Sequence, residues 1–164
     1  MGRMVTVREV TPEDWQVMRD TRLAALREAP SAFASTAERE AAYDEAKWRA
    51  WTQMSGTGVM YFAEVAGLAE PAGLAGVYLD GDEAHVVAMW VRPAARGRKV
   101  GEALIEATAG WVRSRGFATL YLWVAAPNAP ARKLYERCGF TDTGERQPLP
   151  SDPAIPEVKM RRPL

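Results

Sequence analysis

One cysteine, one histidine and no net charge are the scarcities of this 164-residue chain, and each removes a class of function. Cys138 alone can close no intramolecular disulfide and build no thiolate metal cluster, so no metal is expected. Lys+Arg and Asp+Glu both number 21, whereas a nucleic-acid binder carries a basic excess. No apolar run approaches the roughly 20 residues of a membrane span. The N-terminus also lacks a charged-then-apolar signal region. Nucleic acid and membrane therefore drop out as partners, and a cytoplasmic protein is expected. Met1-Gly2 with Thr6 matches a loose acylation pattern, but Val5, Thr6 and Val7 read as an opening strand, so the match is read as chance.

What is present is the composition of an ordinary globular protein, 48% hydrophobic and 26% charged. The length suits one domain over 1–164 with a sizeable core. Residues 4–10 alternate as a half-buried strand. Thr11, Pro12 and Asp14 then mark a helix start, followed by a stripe of Trp15, Met18, Arg22, Leu23 and Leu26. A second helical region runs over 36–54, with Ser35 and Glu38 as a capping box and a break near Asp44. Strands follow at 59–65, 72–79 and 84–91, then a helix over 100–115, a strand at 120–124 and a short helix at 129–138. The tail reads as strands 141–146 and 157–162, joined by a proline-rich loop that is either a lid or a stiff connection. The order β-α-α-β-β-β-α-β-α-β-β implies an α/β chain of the α+β kind, a mixed sheet with helices on both faces.

Residues 84–101 organise the chemistry. An apolar run, Val86–Val91, reads as a buried strand that Pro93 stops. A basic turn follows, with Arg96, Gly97, Arg98, Lys99 and Gly101, and then a helix with Val100, Leu104, Ala107 and Trp111 on one face. Strand, glycine-containing turn and helix aim backbone N–H groups and a positive dipole end at an anion, and pyrophosphate is the natural occupant. Arg92 adds to the local positive charge. The dinucleotide fingerprint does not fit, since it needs three glycines at its own spacing after an early strand. The P-loop does not fit either, for want of a Gly-Lys-Ser/Thr ending.

A second motif lies downstream in Asn128, Ala131, Leu134, Tyr135, Gly139 and Phe140. Arg-x-x-x-x-Gly at the end of an apolar strand, followed by Asn-x-x-Ala-x-x-Leu-Tyr-x-x-x-Gly-Phe, resembles the GCN5-related N-acetyltransferase superfamily. The resemblance implies a single domain in which acetyl-coenzyme A lies between two splayed central parallel strands, here 84–91 and 120–124. It implies that Met89, Trp90 and Val91 pair with the pantetheine arm like an added strand. It implies that Arg96, Gly97, Arg98, Lys99, Val100 and Gly101 hold the pyrophosphate through their N–H groups, and that Asn128 contacts the arm. Tyr135 would stand near the thioester sulfur. Many members carry glycine where this chain has Lys99. A helical Lys99 is expected, with Gly101 keeping the closest approach to the ligand.

Acetyl transfer needs a neutral amine, a polarised carbonyl and a protonated leaving thiolate. Tyr135, with an ordinary phenol pKa near 10, is the candidate acid. The N–H of Val91 is the candidate polariser. His85 is the candidate base, with Glu83 and Glu40 in reserve and a water chain as the other possibility. Trp15, Trp90, Trp111 and Trp123 are expected to fill core, while Phe33, Trp48 and Trp51 fall where the family builds its acceptor pocket. The reading is an acetyl-coenzyme A-dependent N-acetyltransferase acting on a small-molecule primary amine by direct attack, without a covalent intermediate. Alternatives are a protein N-terminal or lysine acetyltransferase, or a non-catalytic acyl-coenzyme A sensor. A homodimer is compatible with the resemblance.

Overall fold

The computed structural model describes residues 4–164, so the acylation pattern at Met1-Gly2 lies outside the described residues. Seven strands form one sheet: β1 (Val5–Glu9), β2 (Gly58–Val65), β3 (Gly73–Asp80), β4 (Glu83–Val91), β5 (Thr119–Ala125), β6 (Thr141–Leu149) and β7 (Asp152–Pro163). Their spatial order is β1-β2-β3-β4-β5-β7-β6. All neighbours are antiparallel except β4 and β5, which are parallel and paired only over Ala84–Val86 against Leu120–Leu122.

That short parallel seam divides the sheet. β4 stays with β3 as far as Val91 opposite Gly73, and the Arg92 N–H still donates to Ala72 O at 2.7 Å. β5 stays with β7 as far as Ala125 opposite Glu157. Beyond Val86 and Leu122 the two halves diverge and leave a wedge. The β4 side carries a bulge opposite Ala75, where Ala88 takes a left-handed φ of 58°. A bulge bends its strand and sharpens the local twist, which turns the end of β4 away from β5.

Five helices cover the sheet: α1 (Trp15–Glu28), α2 (Ala37–Ala41), α3 (Glu45–Trp51), α4 (Val100–Ser114) and α5 (Ala129–Arg137). On one face, Ile105, Ala109 and Val112 of α4 and Tyr135 of α5 pack on Ala84, Val86, Leu120 and Leu122. On the other, Met18 and Leu26 of α1 and Trp48 of α3 pack on Met60, Phe62, Leu74 and Trp90. Each fully buried large side chain contributes about 1.5–3 kcal/mol, so these two layers hold the wedge rigid from both sides.

The 36–54 region breaks near Asp44 as expected, because Asp44 Oδ1 accepts the Lys47 N–H at 2.9 Å and restarts the chain as α3. Several other expectations need correction. The cap of α2 is Thr36, whose Oγ1 accepts from Arg39 N, and not Ser35, whose Oγ is buried without a partner. The buried stripe of α4 is Val100, Gly101, Leu104, Ile105, Thr108, Ala109 and Val112, rotated from the expected Ala107 and Trp111. The last two strands run through the proline-rich segment and pair as far as Leu149 opposite Asp152, giving a tight hairpin. Proline is tolerated there because Pro148 lies on the edge strand β6, and Pro153 and Pro156 precede the part of β7 that pairs with β5. Ser151 at its tip donates through Oγ to Phe33 O, tying the hairpin to the turn after α1.

Candidate active site

The wedge opens into a cleft of about 630 Å³. Met89, Trp90, Val91, Arg96, Gly97, Lys99, Val100, Gly101, Asn128 and Tyr135 all line it, so the two sequence motifs meet in space. Arg98 does not line it and is exposed. Arg92 also points elsewhere: its Nε donates to Pro71 O at 2.9 Å, and its guanidinium lies 5.1 Å from the Trp90 ring.

Backbone geometry gives the cleft its polarity. The Arg92 N–H faces β3, so strand alternation turns the N–H and C=O of Val91 away from β3. Val91 O accepts from Arg96 Nε at 3.1 Å, and Arg96 Nη2 reaches Glu28 Oε1 at 2.6 Å. Glu28 Oε1 also accepts from Trp90 Nε1 at 2.9 Å, which together with Arg96 holds its carboxyl below the usual range. One arginine thus occupies the strand edge and ties it to the end of α1.

At the head of α4, Gly97 has φ 81° and Lys99 φ 63°, ψ 27°. The expectation of a helical Lys99 is therefore wrong. Lysine sits in the left-handed region, where glycine would be free of strain. The first intrahelical bond there is Ala103 N to Lys99 O, so the N–H groups of residues 100–102 have no helical acceptor. Left-handed turns followed by free N–H groups make an anion-binding concavity. Gly101 lines the cleft and also serves packing. A Cβ there would come within 2.8 Å of Leu134 Cδ2 and 3.3 Å of Met89 Cε, so the glycine lets α5 pack closely on α4.

Asn128 caps α5, its Oδ1 accepting from Ala131 N at 3.3 Å, which leaves the amide NH₂ to donate. Tyr135 is 7% exposed, with its ring edge-on to Phe140 at 5.9 Å. Burial pushes its phenol well above the ordinary value. The acid expected with a pKa near 10 is thus a weaker acid than an exposed phenol. Burial likewise pushes the Cys138 thiol up, consistent with a packed side chain.

A second cavity of about 460 Å³ adjoins the first, and Ala32 and Phe33 border both. At the bulge, Ala88 lines the second cavity and Met89 the first, so consecutive residues serve the two spaces. Phe33 and Trp51 line the second cavity; Trp48 is fully buried beneath it. Trp123, expected in the core, lines it from β5.

His85 also lines this second cavity, 5% exposed, its ring 5.5 Å from Tyr78 and 5.7 Å from Tyr121. Its Nε2 lies 2.9 Å from Glu83 Oε1. Glu83 is held by Lys159 Nζ at 2.9 and 3.1 Å, and that bond, with the one from His85, keeps its carboxyl below the usual range. An ionised carboxylate only accepts, so Nε2 is assigned the proton and Nδ1 is the basic atom of the neutral ring. Glu83 itself lines a separate polar depression and is not a free base. Glu40 is not free either: it is fully buried, its Oε1 accepting from Arg22 Nε at 2.8 Å and its Oε2 from Arg22 Nη2 at 3.1 Å.

Sequence reasoning missed Arg22, Glu28 and Glu157. Glu157 of β7 lines the second cavity beside Gln147, and burial raises its carboxyl above the usual range. Arg22 was legible in part, because an arginine inside an apolar helix stripe requires a buried acceptor.

Residues 23–140 match the model of the acetyltransferase (GNAT) family. A mycothiol acetyltransferase of Beutenbergia cavernae is 36% identical over 40% of this chain and 27% of its own length. An IAA acetyltransferase of Azospirillum brasilense is 30% identical over 62% of this chain and 65% of its own. The chain therefore spans only part of these curated relatives. A GCN5-related N-acetyltransferase from Kribbella flavida superposes with a TM-score of 0.77 at 26% identity, covering 98% of both chains. With motifs, wedge and family match in agreement, the chain belongs to the acetyltransferase (GNAT) family.

Proposed function

We propose that this protein is an N-acetyltransferase that takes acetyl from acetyl-coenzyme A and delivers it to the primary amine of a small molecule by direct attack in a ternary complex. The single observation that carries this reading is the pair of adjoining cavities. One is a backbone-lined wedge with an anion cradle, the other an aromatic pocket, and they meet at Phe33 and the Ala88–Met89 bulge. The cradle fits a pyrophosphate because Gly97 and Lys99 are both left-handed and the N–H groups at the head of α4 are unpaired within the helix.

Acetyl-coenzyme A supplies the activated acyl group and a thiolate leaving group. The chain's residues do the rest. Met89 and Val91 offer their outward backbone edge to the pantetheine amides, and Arg96 gives up Val91 O as they pair. Residues 96–101 hold the pyrophosphate, with Lys99 adding charge, and the Asn128 amide donates to the arm. The Val91 N–H polarises the thioester carbonyl as the amine nitrogen attacks it. A C–N bond forms and the C–S bond breaks. His85 Nδ1 takes the ammonium proton, with Glu83 holding the imidazolium that results. Tyr135 donates its hydrogen bond to the departing sulfur, and the thiolate takes its proton from solvent.

The test is thiol release from acetyl-coenzyme A over a panel of primary amines. The reading expects release above hydrolysis with some amines. Cofactor binding without release for any amine or peptide would instead favour a non-catalytic sensor.

A further inference from the structure

The second cavity holds polar groups that the reaction above does not use. Arg22 is 5% exposed, and its guanidinium lies between the rings of Phe33, at 4.9 Å, and Trp51, at 5.2 Å. Glu40 takes Nε and Nη2, but Nη1 is buried with no acceptor. Ser35 Oγ, on the same wall, is also buried without a partner. A buried polar group without a partner is destabilising, so two of them on one cavity wall call for a ligand. Arg39 lines the same cavity and forms no ion pair among the described residues.

The opposite wall has the reverse character. It is the sheet, presenting Glu157, Gln147 and the aromatic face of Trp123, with His85 beside them. The cavity thus has a donor-rich helical wall with uncommitted positive charge, and an acidic sheet wall next to the candidate base. A ligand that completes both carries an ammonium at one end and an anionic oxygen acceptor at the other.

We infer that the acceptor amine is a zwitterion of amino-acid type: its carboxylate is held by Arg22 Nη1, Ser35 Oγ and Arg39, and its amine is presented to His85 and Glu157. This rests on the acetyltransferase reading and narrows its substrate class. The carboxylate satisfies both orphan donors, and the aromatic walls accommodate an apolar body between the two charged ends. The Arg22 charge is balanced by its ion pair with Glu40, so the excess charge that favours a carboxylate over an amide comes from Arg39.

Matched pairs of amines test it, each pair differing only as carboxylate against carboxamide. Binding is read as a rise in melting temperature of the chain saturated with coenzyme A, and turnover as thiol release from acetyl-coenzyme A. The carboxylates are expected to give at least a tenfold higher kcat/KM than their carboxamides and the larger melting shift. Ser35→Ala, which removes only the buried hydroxyl and leaves the Arg22–Glu40 pair intact, is expected to cut that ratio severalfold, mainly through KM. Arg39→Ala should cut it further. Equal or better use of the carboxamides, no binding of either class, or a ratio untouched by Ser35→Ala and Arg39→Ala would each overturn the inference. The acetyltransferase reading fails separately, if coenzyme A and acetyl-coenzyme A themselves produce no melting shift.

Discussion

The wedge and the second cavity, proposed for cofactor and acceptor, share a wall but are built by opposite means. The wedge is made of backbone: an outward strand edge at Met89 and Val91, left-handed Gly97 and Lys99, and the open head of α4. The acceptor cavity is made of side chains from distant segments: Arg22, Ser35 and Glu40 from the helical layer, His85, Trp123 and Glu157 from the sheet. On the proposed reading, backbone would recognise what every coenzyme A has in common, and side chains what one amine has. The first arrangement tolerates sequence change, and the second is where the chain commits itself.

The comparison breaks most visibly at Glu40. Removing one partner of a buried ion pair leaves an uncompensated charge, so Glu40→Ala is expected to cost about 3–5 kcal/mol of stability, measured by urea unfolding. The pair reaches the wedge only through Phe33, and the cradle at residues 96–101 lies apart from it, so acetyl-coenzyme A should still bind the folded fraction with nearly unchanged affinity. Tyr135→Phe probes the other side: turnover should fall about 100-fold, the low end for losing one hydrogen-bond donor to developing charge, while cofactor affinity holds. Unchanged turnover with a good acceptor would remove the hydroxyl from the mechanism.

A smaller effect separates strain from charge in the wedge. Lys99→Gly and Lys99→Ala both remove the ammonium, but only glycine is at ease at φ 63°. The glycine variant should therefore be the more stable of the two by about 1 kcal/mol, after allowance for its looser unfolded chain. Equal melting temperatures would mean that the left-handed turn relaxes in solution.

The smallest effect concerns pH. Burial raises the Glu157 carboxyl in the folded chain, so the native state holds that proton more tightly than the unfolded state does. Its contribution to stability therefore declines as pH rises from the unfolded value of about 4.3 through the raised native value, and is level above it. Glu157→Gln should remove that decline. A decline of the same size in the variant would assign it to other groups.

The uneven legibility of the chain follows from the same contrast. The turn at 96–101 and the Asn128–Tyr135 helix are local backbone devices, so their residues lie together in sequence and were readable there. The seam of β4 and β5 followed from apolar runs of strand length on either side of a helix. Three things were not readable, each for a physical reason. The conformation of Lys99 depends on how the turn docks on α4, which spacing does not encode. The extension of β6 and β7 through their prolines depends on β6 being an edge and on β7 having no β5 partner before Glu157. The Arg22–Glu40 pair joins residues 18 apart in sequence, and the orphan donors beside it depend on which atoms tertiary packing shields.

The central claim is that the wedge between β4 and β5 binds acetyl-coenzyme A. The most direct measurement is the melting temperature of the full chain against acetyl-coenzyme A concentration. A ligand bound only by the native state stabilises it by about 2.7 kcal/mol at a hundred times Kd, and the rise continues with the logarithm of concentration. A melting temperature that climbs in this way is the predicted result. One that stays flat up to millimolar acetyl-coenzyme A would contradict it.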